Sequence, residues 1–91
     1  MPELSKEITI INKLGLHARA ATKLAQLSQK FDATITLELE GKSADANSIM
    51  GLMLLAGGQG KSVIVKTSGK DAEIALDMVC QLINDKFEEA E

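Results

Sequence analysis

The sequence has no tryptophan and no tyrosine, and two phenylalanines are its whole aromatic content. Its core must therefore be aliphatic, and it offers little platform for stacking nucleic-acid bases. A single cysteine, Cys80, excludes an internal disulfide and a cysteine-based zinc cluster. A single histidine, His17, excludes a histidine-rich metal site within one chain, so no metal is expected. No apolar run approaches the ~20 residues that span a bilayer. The first residues, Met1 to Glu7, lack the apolar stretch of a signal peptide. A cytosolic chain without membrane insertion is the expectation. Positive charge is also in short supply: 10 Lys and Arg against 13 Asp and Glu give a net charge of −3. Nucleic acid usually selects a basic stripe, so it is not an expected partner.

What remains is ordinary globular material, 45% hydrophobic and 25% charged over 91 residues. That suits one small domain over residues 1–91, without linker or internal repeat. A chain of this length buries roughly 60–65% of its unfolded surface, which leaves one thin core and no deep cavity.

Glu7 to Asn12 is a β-branched run that predicts a strand. After Gly15, Ala18 to Phe31 has helical period. Ala20, Leu24, Leu27 and Phe31 form one stripe, flanked by Ala21 and Ser28, with Arg19, Thr22, Lys23 and Gln26 opposite. Thr34 to Glu40 alternates strictly, a strand with one wet face. Gly41-Lys42 reads as a turn and Lys42 to Ala46 as a short return strand. Asn47 or Ser48 would cap a second helix, Ile49 to Ala56, which Gly57, Gly58 and Gly60 end. Lys61 to Thr67 is a further strand. Asp71 caps a last helix with a core stripe of Ala72, Ala75, Leu76, Val79, Leu82 and Ile83, and Cys80 at its edge as a partly buried, inert thiol. Residues 88–91 are acidic and expected to fray. The order β-α-β-β-α-β-α, with one solvated sheet face, predicts a two-layer α+β fold with the helices gathered on the other face.

Chemistry concentrates where the first helix begins. A helix N-terminus presents unpaired N–H groups and partial positive charge, which suit phosphate. The amides of Ala18 and Arg19 would supply such a cradle. The Arg19 guanidinium adds a cation that can grip phosphate oxygens with two parallel bonds. An imidazole nitrogen at His17 could accept a phosphoryl group as a nucleophile. Spacing alone favours the plainer reading, a surface histidine beside a helix cap.

Gly15-Leu16-His17-Ala18-Arg19-Ala20-Ala21 resembles the active-site segment of the HPr family of phosphocarrier proteins. Asn47-Ser48-Ile49-Met50-Gly51-Leu52 resembles that family's second signature, which holds its regulatory serine. The resemblance spans roughly residues 6 to 87. It implies an open-faced β-sandwich with a four-stranded antiparallel sheet and three helices on one face. It also implies a carrier, not a turnover enzyme. Enzyme I would take phosphate from phosphoenolpyruvate and place it on Nδ1 of His17, and the carrier would hand it to an acceptor protein of the phosphotransferase system. No bound cofactor is implied. Ala20 stands where the family usually has proline, and Gly51 where it often has lysine. Asn47 and the aliphatic second helix look more like the nitrogen-related branch, called NPr.

Two further readings attach to the second helix. Ser48 is a cap whatever else it does, and the resemblance implies phosphorylation there by a dedicated kinase. Ile49, Met50 and Met53 belong to a helix apolar on all sides. Either the following loop and the last helix cover it, or it is a docking patch for enzyme I and acceptors, rimmed by Thr22, Lys23 and Gln26. An interaction-only regulator, switched at His17 or Ser48, is the alternative function. An acyl carrier with a pantetheine arm on Ser48 fits the size and acidity but not the strands. A monomer is expected.

Overall fold

The computed structural model describes residues 3–55 and 57–88. Four strands form one antiparallel sheet: β1 (Leu4–Thr9), β2 (Thr34–Leu39), β3 (Lys42–Asp45) and β4 (Ser62–Ser68), in the order β1-β4-β2-β3. Helices α1 (Ala18–Ser28), α2 (Ile49–Leu54) and α3 (Ala72–Asn84) pack on one face. A single turn, Lys86–Glu88, follows α3. This is the expected two-layer arrangement.

The sheet's inner face is set by alternation. Ile35, Leu37 and Leu39 of β2 and Val63, Val65 and Thr67 of β4 are buried. On the outer face Lys66 Nζ reaches Glu38 at 3.3 Å, while Lys61, just before β4, reaches Glu40 at 3.0 Å. Across the helical layer, α3 covers β1 and β4, α2 lies beside β3, and α1 packs against both helices. Since β1 and β3 are the two edges of the sheet, α2 and α3 occupy opposite flanks of α1.

Several boundaries differ from expectation. The first strand lies at Leu4–Thr9, not Glu7–Asn12, because its ladder with β4 runs from Leu4↔Thr67 to Thr9↔Ser62. Beyond it the chain still holds to the start of β4, with Ile10 N–H on Lys61 O at 2.9 Å. The hairpin between β2 and β3 turns at Glu40-Gly41, not Gly41-Lys42. Both turn residues have positive φ, 51° and 84°, as a type I′ turn requires, and Lys42 pairs with Leu39. Helix α1 ends at Ser28 and α2 at Leu54, both short of expectation; Ala56 lies outside the described residues.

The buried stripe of α1 is Ala20, Ala21, Leu24, Ala25 and Ser28, with Leu27 only half-buried and Phe31 beyond the helix. Leu76 and Leu82 of α3 are likewise half-buried, whereas Cys80 lies inside the core instead of at its edge. Asp71 stands at the N-cap of α3, but its carboxylate accepts the Asp32 N–H at 2.7 Å instead of capping the helix. Glu88, expected to fray, is held. Its N–H donates to Asp85 O at 2.9 Å and its carboxylate lies 3.6 Å from Lys23 Nζ. Residues 89–91 lie outside the described residues.

Candidate functional site

His17 is the N-cap of α1. Its backbone is extended (φ −79°, ψ 179°) and its carbonyl accepts the Ala21 N–H at 2.9 Å. The amides of residues 18–20 precede that first helical bond, and the His17 side chain does not cap them. No acidic residue occupies the first turn, so the positive end of the helix dipole is not offset there. The His17 side chain is half-buried, and Ala18 and Arg19 are exposed beside it. Ala20, in the family's proline position, is fully buried and continues the helix without a break.

The loop that delivers His17 is fastened by bonds to its main chain. Asn12 Nδ2, buried, donates to Gly15 O at 2.9 Å, and Gly15 N–H donates to Asn12 O at 3.2 Å. Leu16 N–H donates to Gly57 O at 2.9 Å, and Gly60 N–H to Ile10 O at 2.8 Å. Gln59 Nε2 adds a bond to Ile11 O at 3.2 Å. The glycines after α2 therefore brace the histidine loop as well as following a helix. At Gly15, with φ +64°, a Cβ would collide with the Gly57 carbonyl, and at Gly57 it would meet the Leu16 and Ile10 methyls below 3.0 Å. Sequence reasoning missed this role. The only available signal was that Gly57, Gly58 and Gly60 are more glycines than a helix stop requires.

Helix α2 borders this site. Ser48 is its N-cap, accepting the Gly51 N–H on Oγ at 3.0 Å. Asn47 ties it to α1 by accepting Ser28 Oγ–H at 3.2 Å. Gly51 leaves room for this cap, since a Cβ there would come within 2.9 Å of Ser48 Oγ. Leu52 and Leu55 turn into the core, while Ile49, Met50 and Met53 remain exposed, Met50 at 70%. Neither the glycine loop nor α3 covers them. The sequence did not single out Leu14, 67% exposed in the histidine loop, or Leu54, 70% exposed on α2, as parts of the patch. On the rim, Gln26 is exposed, but Thr22 Oγ donates to Ala18 O at 2.7 Å and Lys23 Nζ donates to Phe87 O at 2.9 Å. Lys23 is thus committed to the C-terminal turn. Among the described residues, no group of three or more His, Cys, Asp or Glu is placed to hold a metal.

Known proteins share this arrangement. A family model described as the PTS HPr component phosphorylation site matches residues 4–85. The phosphocarrier protein NPr of Shewanella violacea is 51% identical over 90 residues, covering 99% of each chain. The phosphocarrier protein HPr of Cupriavidus necator is 47% identical over 88 residues, 97% of this chain and 99% of the other. The crystal structure of HPr-C-His from Thermoanaerobacter tengcongensis superposes with a TM-score of 0.89 at 41% identity, covering all of both chains.

Proposed function

The chain belongs to the HPr family of phosphocarrier proteins of the phosphotransferase system, which carry phosphoryl groups and are not enzymes, and from that premise we propose that His17 is its phosphoryl acceptor. Membership implies interaction with partner proteins of that system such as enzyme I. In the proposed step, enzyme I charged from phosphoenolpyruvate presents its phosphoryl group to His17. The Nδ1 lone pair bonds to phosphorus as the bond from phosphorus to the donor breaks. The phosphoryl oxygens then rest against the Ala18 and Arg19 amides and the Arg19 guanidinium, which stabilise charge by position alone. Transfer to the acceptor protein reverses these movements. No bound cofactor takes part. The observation that supports this reading best is His17 at the cap, with the amides of residues 18–20 ahead of the first helical bond and no acid in that turn.

Docking is assigned to the apolar face of Ile49, Met50 and Met53, with Thr22, Lys23 and Gln26 as its rim. Ser48 is assigned as a regulatory site for a serine kinase. A phosphate there adds about −1.5 to −2 charge at the start of α2, beside that face, and would repel an acidic partner. The protein is proposed to act as a monomer in the cytoplasm; among the described residues no helix is long and apolar enough to cross a membrane.

The test is intact mass after incubation with phosphoenolpyruvate, magnesium and enzyme I, with His17→Ala in parallel. One acid-labile phosphate gained by the native chain and absent from the variant is the expected result. No gain with active enzyme I would transfer the weight to an interaction-only regulator docking through α2.

A further inference from the structure

Besides the face around His17, large apolar side chains are exposed on α3, at Ile74 (54%) and Met78 (39%). These two are one turn apart and share a face. Ile74 lies nine residues before Ile83, about 900° around the helix, and so points directly away from that fully buried side chain. It occupies the centre of the solvent face, where an amphipathic helix would place its most polar residue. Below Met78 the apolar surface continues into a groove of about 160 Å³ between α1 and α3, with half-buried Leu27 and Leu82 in its lining.

The charge around this strip is of one dominant sign. Asp71, Glu73 and Asp77 share the hollow around Ile74 with a single cation, Lys70. Asp85 and Glu88 line the groove. Lys23 and Lys30 border its far side on α1, where Lys23 is already engaged by Glu88. The His17 side is opposite in character, with Arg19 exposed and no acid in the first turn of α1. The two faces therefore suit partners of opposite charge. Their apolar centres lie apart, because α2 and α3 flank α1 on opposite sides, and Lys23 and Gln26 of α1 form the border between them.

We infer that α3 is a second docking surface, for a basic amphipathic helix of another protein. Its apolar row would lie over Ile74, Met78 and the Leu27–Leu82 groove, and its lysines or arginines would meet Glu73, Asp77 and Asp85. The acidic rim disfavours an anionic lipid surface, which attracts basic and not acidic segments. Occupation of α3 leaves His17 open, so such a partner can read the carrier while it relays phosphate. The inference does not depend on which residue accepts the phosphoryl group.

The probe is a synthetic amphipathic helix of leucine and lysine, titrated into the full-length, isotopically labelled protein and followed by amide chemical shifts. A leucine–glutamate helix of the same pattern is the control. Expected are shifts confined to residues 70–85 and their α1 neighbours, absent with the control. The double variant Ile74→Ser, Met78→Ser should bind about tenfold more weakly while keeping its native spectrum and its rate of phosphorylation by enzyme I. Shifts centred on Ile49–Leu54, equal binding of the acidic control, undiminished binding by the double variant or no binding at all would overturn the inference. So would sedimentation showing that native chains self-associate through Ile74 and Met78, since the occupant would then be a second copy.

Discussion

Gly15 and Gly41 both take left-handed φ, 64° and 84°, in different surroundings. A Cβ at Gly41 would meet nothing within 4 Å, whereas one at Gly15 would strike the Gly57 carbonyl. Gly41→Ala should therefore cost only the handedness term, about 1–2 kcal/mol, and leave phosphorylation unchanged. Gly15→Ala adds a main-chain collision at the histidine loop. It should cost clearly more than Gly41→Ala in urea unfolding and slow phosphoryl transfer as well. Ala20 poses a different question. Replacing it by proline, in the first helical turn, restricts the unfolded chain and should raise stability by about 0.4–1 kcal/mol. It also removes one amide next to the phosphate cradle, which should shorten the lifetime of phosphohistidine. Thermal unfolding reads the first effect and the hydrolysis rate reads the second.

Helix α2 spans only Ile49–Leu54, so its cap carries unusual weight. Ser48→Ala should cost about 1 kcal/mol. Ser48→Asp retains a capping oxygen and adds a charge. It should recover most of that stability yet receive phosphate from enzyme I more slowly if Ser48 is the regulatory site. At the other end of the chain, Lys86, Phe87 and Glu88 all have positive φ, 55° to 64°. Each carries a handedness cost, offset by burial of Phe87, by Lys23 Nζ on its carbonyl and by the Glu88 ion pair. Phe87→Ala should lose about 3–5 kcal/mol, measured by urea unfolding. Lys23→Met should lose about 1 kcal/mol.

This turn also shows where sequence reading stopped. The alternation in β2 and the period in α1 are local patterns, and they yielded the layer order; the all-round apolar pattern of α2 left open whether its outer face is covered, and the structure leaves it exposed. Phe87 sits among Lys86, Glu88 and Glu89; it follows Val79 and Ile83 at four-residue spacing, but α3 ends at Asn84, before helical period could carry it. Only the left-handed backbone turns it inward, and no composition rule announces that. The first strand was misplaced for a related reason. Ser5 and Lys6 carry no β-branched signal, and their place in β1 comes from pairing with Lys66 and Val65 of β4. At the site, His17, Arg19 and Ser48 stood out because each lies at a helix start, a position short motifs mark. The bracing by Gly57 joins segments more than forty residues apart and could not be read from either one.

Considered as one molecule, the fold encloses a titratable thiol in its core. Burial raises the Cys80 thiol above its ordinary value of 9.0, against a lowering influence from Lys6 and with a smaller raising one from Asp77. The folded state therefore holds that proton longer than the unfolded state. Stability from this source is complete below pH 9.0 and declines as pH rises from there through the folded value. Urea unfolding at pH 8 and pH 10 should show a larger loss for the native chain than for Cys80→Ala. The same burial should leave the thiol nearly unreactive toward alkylating reagents until the chain unfolds.

Three of the bonds that hold the histidine loop run from one peptide group to another: Leu16 to Gly57, Gly60 to Ile10 and Gly15 to Asn12. The pose of His17 is thus specified largely by the main chain, with the Asn12 and Gln59 side chains assisting, and the exposed apolar side chains around it are released from that duty. Leu14, Met50 and Leu54 can be exchanged to suit a new partner without disturbing the atom that receives the phosphate. A lineage built on this plan can change its customers and keep its currency.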